Sequence, residues 1–173
     1  MKKKLVIIHG VTGAIGSACL SLFASQPNTV VYGISRKAKH FKELCQDLVL
    51  PAKTLICSIY DSDEHYGGIN EVSRFFHTIP KDVYSDIHYI HAIGHYPFEI
   101  DDQGNHFISH DNDMDGIDDR CTILTYETFL SFFLNQRSLS KVPRFFIFGG
   151  LADRHEPVVH ASYWKTMKRL KEN

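Results

Sequence analysis

The sequence predicts an α/β domain built on a doubly wound parallel sheet, and three observations predict it. Short apolar, β-branched runs recur at residues 5–8, 29–34, 53–60, 86–93 and 144–148, the pattern of strands buried on both faces. Segments with apolar residues at helical spacing separate them, at residues 38–48, 69–79 and 125–136, with a last one at 160–171. At the first junction, between residues 8 and 18, three glycines stand three residues apart. Strand–helix alternation of this kind builds parallel strands through right-handed crossovers, and the strand order it predicts is 3-2-1-4-5.

The first unit organises the rest. Leu5 to Ile8 breaks into Gly10-Val11-Thr12-Gly13-Ala14-Ile15-Gly16, and small and apolar residues continue at helical spacing through Ala18, Leu20, Leu22 and Phe23. A strand, a glycine turn and a helix opening on the last glycine form a pocket for a dinucleotide diphosphate, the Rossmann arrangement. Gly10 permits the tight turn, and Gly13, without a side chain, lets the diphosphate approach the backbone. Gly16 lets helix and strand pack closely, and the helix start at Thr12, Ala14 and Ile15 directs N–H groups at the phosphates.

Strand two, residues 29–34, runs into Ser35-Arg36. The end of this strand meets the adenosine ribose, where a carboxylate binds the 2′-hydroxyl of NAD and an arginine accommodates the 2′-phosphate of NADP. No Asp or Glu stands there, and Arg36 lies 20 residues past Gly16, so the expected cofactor is NADP(H), with NAD possible. Asp61, at the end of strand three, reads either as a plain helix N-cap or as an adenine contact. Strand four closes on Ala92, Ile93 and Gly94 at the same cleft, which adds these three to the expected cofactor residues.

Composition bounds the function. The 173 residues, 43% hydrophobic, suffice for one domain with a real core and are short for two, so residues 1–173 read as a single dinucleotide-binding domain. A net charge of −1 offers no basic field for nucleic acid. No run approaches a membrane span or a signal peptide, so neither a membrane nor a nucleic-acid partner is expected. Cys19, Cys45, Cys57 and Cys121 form no Cys-x-x-Cys pair and read as reduced thiols of a cytoplasmic protein.

Residues 95–121 break the rhythm. The stretch is polar and acidic with little periodicity, and reads as an insert above the carboxyl ends of the strands. Within it Asp111-Asn112-Asp113-Met114-Asp115-Gly116 matches the opening of an EF-hand loop. Thr122 stands where that loop needs a bidentate glutamate, which favours an acidic solvated loop over a calcium site. His91 with His95, and His106 with His110, are four apart, a metal-ligand spacing only on a helix, and no metal site is expected. His91 or His95 as an acid/base group fits better, because strand four ends at the cleft. Helix four, over 125–136, carries Phe129, Phe132 and Phe133, which predicts an exposed aromatic surface and a homodimer formed through it.

Nearly the whole chain resembles the short-chain dehydrogenase/reductase family. Its GxxGxxG spacing is that of the family's extended and atypical members. Tyr89 to Gly94 is similar to the fourth strand, which usually ends in Asn-Asn-Ala-Gly, and Phe145 to Gly150 to the fifth. Tyr163 follows Gly150 by thirteen residues, the family's interval from catalytic serine to catalytic tyrosine. The resemblance implies a hydride transfer between the nicotinamide and a small carbonyl or sugar-like substrate, with Tyr163 as catalytic acid. It also implies departures. Gly150 stands at the serine position, Met167 at the lysine position with Lys168 beside it, and a gapless count puts Thr122 near the asparagine position. The family's sixth and seventh strands lie beyond the helix bearing Tyr163, where the sequence stops. Tyr163 reads equally as a packed aromatic beside Trp164, which keeps open a catalytically inactive nucleotide-binding or sensor protein on the same fold.

Overall fold

The computed structural model describes the backbone of residues 3–35, 38–47, 55–59, 69–93, 98–100, 102–103, 106–108 and 114–148, and the side chains of 3–35, 42–47, 72–93, 102–103 and 122–148. The elements run β1 (Lys3–His9), α1 (Ala14–Ala24), β2 (Thr29–Ser35), α2 (Ala38–Asp47), β3 (Leu55–Ile59), α3 (Ile69–Thr78), β4 (Tyr84–His91), β5 (Phe98–Ile100), β6 (His106–Ile108), α4 (Met114–Phe133) and β7 (Arg144–Ile147). Five parallel strands form the main sheet in the order β3-β2-β1-β4-β7. With β7 as the fifth strand, this is the predicted order 3-2-1-4-5, a doubly wound sheet whose order reverses between β1 and β4.

Alternation along the strands builds a core on each face. Val6, Ile8, Val31 and Ile90 meet Leu20 and Ala24 of α1, with Leu44 and Cys45 of α2 packed at the margin. On the opposite face Leu5, Ile7, Tyr32, Ile34, Ile87 and Tyr89 meet Val72, Phe75, Phe76 and Ile79 of α3 and Phe129 and Phe133 of α4. Strands this apolar on both faces require helices on both, which is why the chain alternates. The far end of α4 is tied down by polar contacts: the Arg137 N–H donates to Asp82 Oδ1, and the Ser138 hydroxyl donates to the Tyr84 carbonyl.

Two expectations change. Residues 95–121 are not a plain insert. They contain the antiparallel hairpin β5–β6, paired Phe98↔Ile108, Glu99↔Phe107 and Ile100↔His106, and the first eight residues of α4. Each hairpin strand has three residues, too few for a two-residue period to emerge from a sequence. Helix four begins at Met114, eleven residues before the predicted start at 125. Asp115, Asp118 and Asp119 fall in its first two turns, where negative charge complements the helix dipole. Helical backbone from Met114 to Thr122 is also incompatible with an EF-hand loop, whose ligands come from a coiled chain at those positions.

The second change concerns the aromatic surface. Phe129 and Phe133 are fully buried, and Phe132 is partly buried against the core, 5.9 Å from the Phe76 ring and 5.0 Å from that of Phe133. The phenylalanines of helix four therefore pack against the sheet and α3 of the same chain, with Phe132 alone left partly exposed, so the aromatic surface is smaller than expected. Among the described residues no helix is long and apolar enough to cross a membrane.

Candidate functional site

The site lies where β1, β2 and β4 end. Gly10 turns the chain out of β1 with φ +82, a left-handed conformation that side-chain-bearing residues rarely adopt. Its N–H and that of Val11 both donate to the Ile34 carbonyl, at 3.0 and 3.3 Å, docking the turn on β2. On the other side the turn presses against β4. A Cβ on Gly10 would stand 2.6 Å from the Ala92 carbonyl oxygen, while the Ala92 N–H donates to the His9 carbonyl at 2.9 Å. The turn closes on itself through Gly13 N–H to Gly10 O, 3.0 Å, and Gly13 is the N-cap of α1.

The three glycines are required for different reasons. A Cβ on Gly16 would collide with the Gly10 carbonyl and the Val11 Cα, so helix and turn pack as closely as predicted. Gly13 is different: a Cβ there would meet only the Gly10 oxygen, at 3.4 Å, an ordinary contact. Gly13, Ala14 and Ile15 are exposed, no carboxylate stands in the first turn, and the leading N–H groups of a helix have no intrahelical acceptor. The result is an open cradle of N–H donors at the positive end of a helix dipole, suited to a diphosphate. The residues present fit that group.

Thr12 and Ser35 join the cradle to the end of β2. Their hydroxyl oxygens are 3.0 Å apart in a hydrogen bond, and Ser35 is buried at its base. Ala92 is half-buried and Ile93 exposed on the β4 side of the cleft. Gly10, Thr12, Gly13, Ala14, Ile15, Gly16, Ser35, Ala92 and Ile93 are thus brought to one end of the sheet. Arg36, Asp61, Gly94 and Tyr163 lie outside the described residues, as do His95, Gly150 and Met167.

Beneath the cradle lies a buried polar group that the sequence did not disclose. His9 and His91, the last residues of β1 and β4, are register partners with ring centroids 5.6 Å apart, edge to face. His9 Nδ1 is 2.8 Å from the Tyr89 hydroxyl, and His91 Nε2 is 3.1 Å from the Thr122 hydroxyl. Burial drives the His91 pKa down from 6.5 to about 4, so its ring is neutral at pH 7. With its side chain buried, His91 is not presented to the cleft as an acid/base group. Its Nε2 contact ties the Thr122 hydroxyl to the sheet. The available signal was His9 itself, an ionisable residue ending an otherwise apolar buried strand. Among the described residues no group of three or more His, Cys, Asp or Glu is placed to hold a metal ion.

No protein-family model matches the sequence, and no curated protein matches it. Solved structures do. A 3-oxoacyl-[acyl-carrier protein] reductase from Brucella melitensis superposes with TM-score 0.68 at 10% identity, over 99% of this chain and 67% of that one. A metagenomic short-chain oxidoreductase in complex with NADP gives 0.67 at 13% identity, over 99% of this chain and 72% of that one. A short-chain dehydrogenase/reductase from Burkholderia phymatum in complex with NAD gives 0.66 at 13%, over 99% and 57%. The chain has the α/β fold of these short-chain dehydrogenase/reductase structures, at 10–13% sequence identity.

Proposed function

We propose that this chain binds NADP(H) at the carboxyl ends of β1, β2 and β4 and transfers hydride to or from a small carbonyl or sugar-like substrate. One observation carries the binding step: packing within the protein accounts for Gly10 and Gly16 but not for Gly13, the N-cap of α1, where a side chain would meet only one ordinary contact. A phosphate-bearing ligand explains that glycine. The bound neighbours with NADP and with NAD support a nicotinamide dinucleotide. Arg36, directly after the Thr12–Ser35 hydroxyl pair, favours the 2′-phosphate form.

When bound, the dinucleotide supplies the hydride. The chain's own part is to hold the diphosphate on the N–H groups of the turn, wall the cleft with Ala92 and Ile93, and give a proton from the Tyr163 hydroxyl to the carbonyl oxygen as it gains negative charge. A lone tyrosine, with pKa near ~10, exchanges that proton slowly unless a cation stands beside it, and Lys165 and Lys168 are the nearest in sequence.

The engagement of Thr122 with His91 favours a second reading, a nucleotide-binding protein on this fold without the reaction. Titration with NADPH and NADH, followed by dinucleotide oxidation against a panel of carbonyl compounds, separates the two. NADPH is expected to bind at least tenfold more tightly than NADH, and Arg36→Ala to remove that preference while sparing NADH. Equal binding of both by the parent protein would refute the assignment of Arg36.

A further inference from the structure

His91 is an expensive choice at its position if packing is its only task. Its side chain is buried between Phe145, stacked at 5.8 Å, and His9, and among the described residues its Nδ1 has no hydrogen-bond partner. An apolar ring would fill the same space without stripping water from two nitrogens. What the histidine adds is a bond from the end of β4 to α4, through Nε2 and the Thr122 hydroxyl. The position of that bond matters. The next residue, Ala92, is the one whose carbonyl packs against Gly10 and whose N–H holds the end of β1. At its far end α4 is already fixed by Phe129 and Phe133 in the core and by the Asp82 and Tyr84 contacts of the turn that follows it.

We propose that His91 and Thr122 are a positioning pair, through which α4 holds the Ala92–Ile93 wall of the dinucleotide cradle at its distance from the glycine turn. The pair touches neither the dinucleotide nor the substrate. It acts through Ala92, its effect on affinity rests on the dinucleotide reading above, and the tie itself does not. Coupling of this kind is reciprocal: filling the cradle must also steady α4 near Thr122.

Thr122→Val keeps the shape of the side chain and removes the bond, and Thr122→Ser keeps the bond. Binding of NADPH by fluorescence titration is expected to weaken about tenfold in Thr122→Val and to recover to within about twofold of wild type in Thr122→Ser, with unchanged far-ultraviolet circular dichroism in both. Amide exchange in a peptide spanning residues 90–94 is expected to quicken in the valine variant and return to normal in the serine variant. In the wild type, NADPH is expected to slow exchange over residues 118–126, a readout that needs no variant and so survives a valine protein that fails to fold. A merely structural bond would lower the melting temperature of Thr122→Val and leave its NADPH affinity and the 90–94 exchange where they were; that result overturns the pair. If the wild type binds no dinucleotide, the function proposed above fails, and the exchange of residues 90–94 in the two variants still decides for or against the tie.

Discussion

His91 shows how one residue sets a condition on the whole protein. Buried as a neutral ring, it has a folded-state pKa of about 4 against 6.5 for an exposed imidazole. Below pH 6.5 the unfolded chain takes up a proton that the folded chain refuses until pH nears 4. The stability His91 permits is therefore fully present above 6.5, falls as the pH drops through that window, and levels off below about 4. The loss is on the order of 3 kcal/mol, a large share of what holds a domain of this size together. His88 adds to it in the same direction: burial, Lys4 and Arg144 lower its pKa despite Asp86 at 3.2 Å, so that contact is not an ion pair at neutral pH. Urea titrations from pH 7.5 to 4 are expected to show a steady fall in unfolding free energy, and His91→Phe to flatten it. An unchanged slope in His91→Phe would mean that other groups govern the acid limb.

At the scale of elements, the glycine turn and α1 allow a clean separation of folding from binding. Gly16→Ala forces a Cβ into the Gly10 carbonyl and the Val11 Cα, all backbone, and is expected to destabilise the fold by about 1–3 kcal/mol or more. Gly13→Val meets only an ordinary contact at φ −78, and its cost is that of a poor N-cap, about 1 kcal/mol. The valine protein is expected to fold, melt near the parent and bind no NADPH, as checked by circular dichroism and fluorescence. Normal binding by Gly13→Val would refute the phosphate cradle. This unit was also the most legible in the sequence, because a buried strand, a spaced glycine turn and a helix each leave a local signature in contiguous residues. The strand order followed for the same reason. The hairpin β5–β6 and the first turns of α4 leave no such signature: a three-residue strand spans barely one repeat of the two-residue strand period, and an acidic helix start resembles a solvated loop. The His9–His91 contact and the Thr122 bond were invisible for another reason, since they join residues 82 and 31 positions apart through strand register and helix docking.

At the scale of the whole molecule, helix four decides between an interface and a core. Its three phenylalanines read in the sequence as more aromatic surface than one sheet face covers, but α3 supplies the missing cover. Phe76 lies within 6.5 Å of Phe129, 5.9 Å of Phe132 and 5.3 Å of Phe133, and the His77 ring meets Phe132 edge-on at 5.0 Å. Lys81 also sits over the Phe132 ring at 5.1 Å, so even the least buried of the three has its face occupied from within the same chain. Replacing Phe132 by aspartate would withdraw the ring from Phe76, His77 and Phe133 and leave a short carboxylate, with Lys81 beside it, in place of that apolar contact. Phe132→Asp is therefore expected to lower the unfolding free energy by about 3 kcal/mol or more, and to leave the mass of whatever remains folded equal to that of the parent. Thermal melts followed by light scattering at micromolar concentration read both quantities on one sample. A variant that melts like the parent but halves its mass would restore helix four as a subunit interface, and would require Phe132 to turn outward from the position it holds beside Phe76.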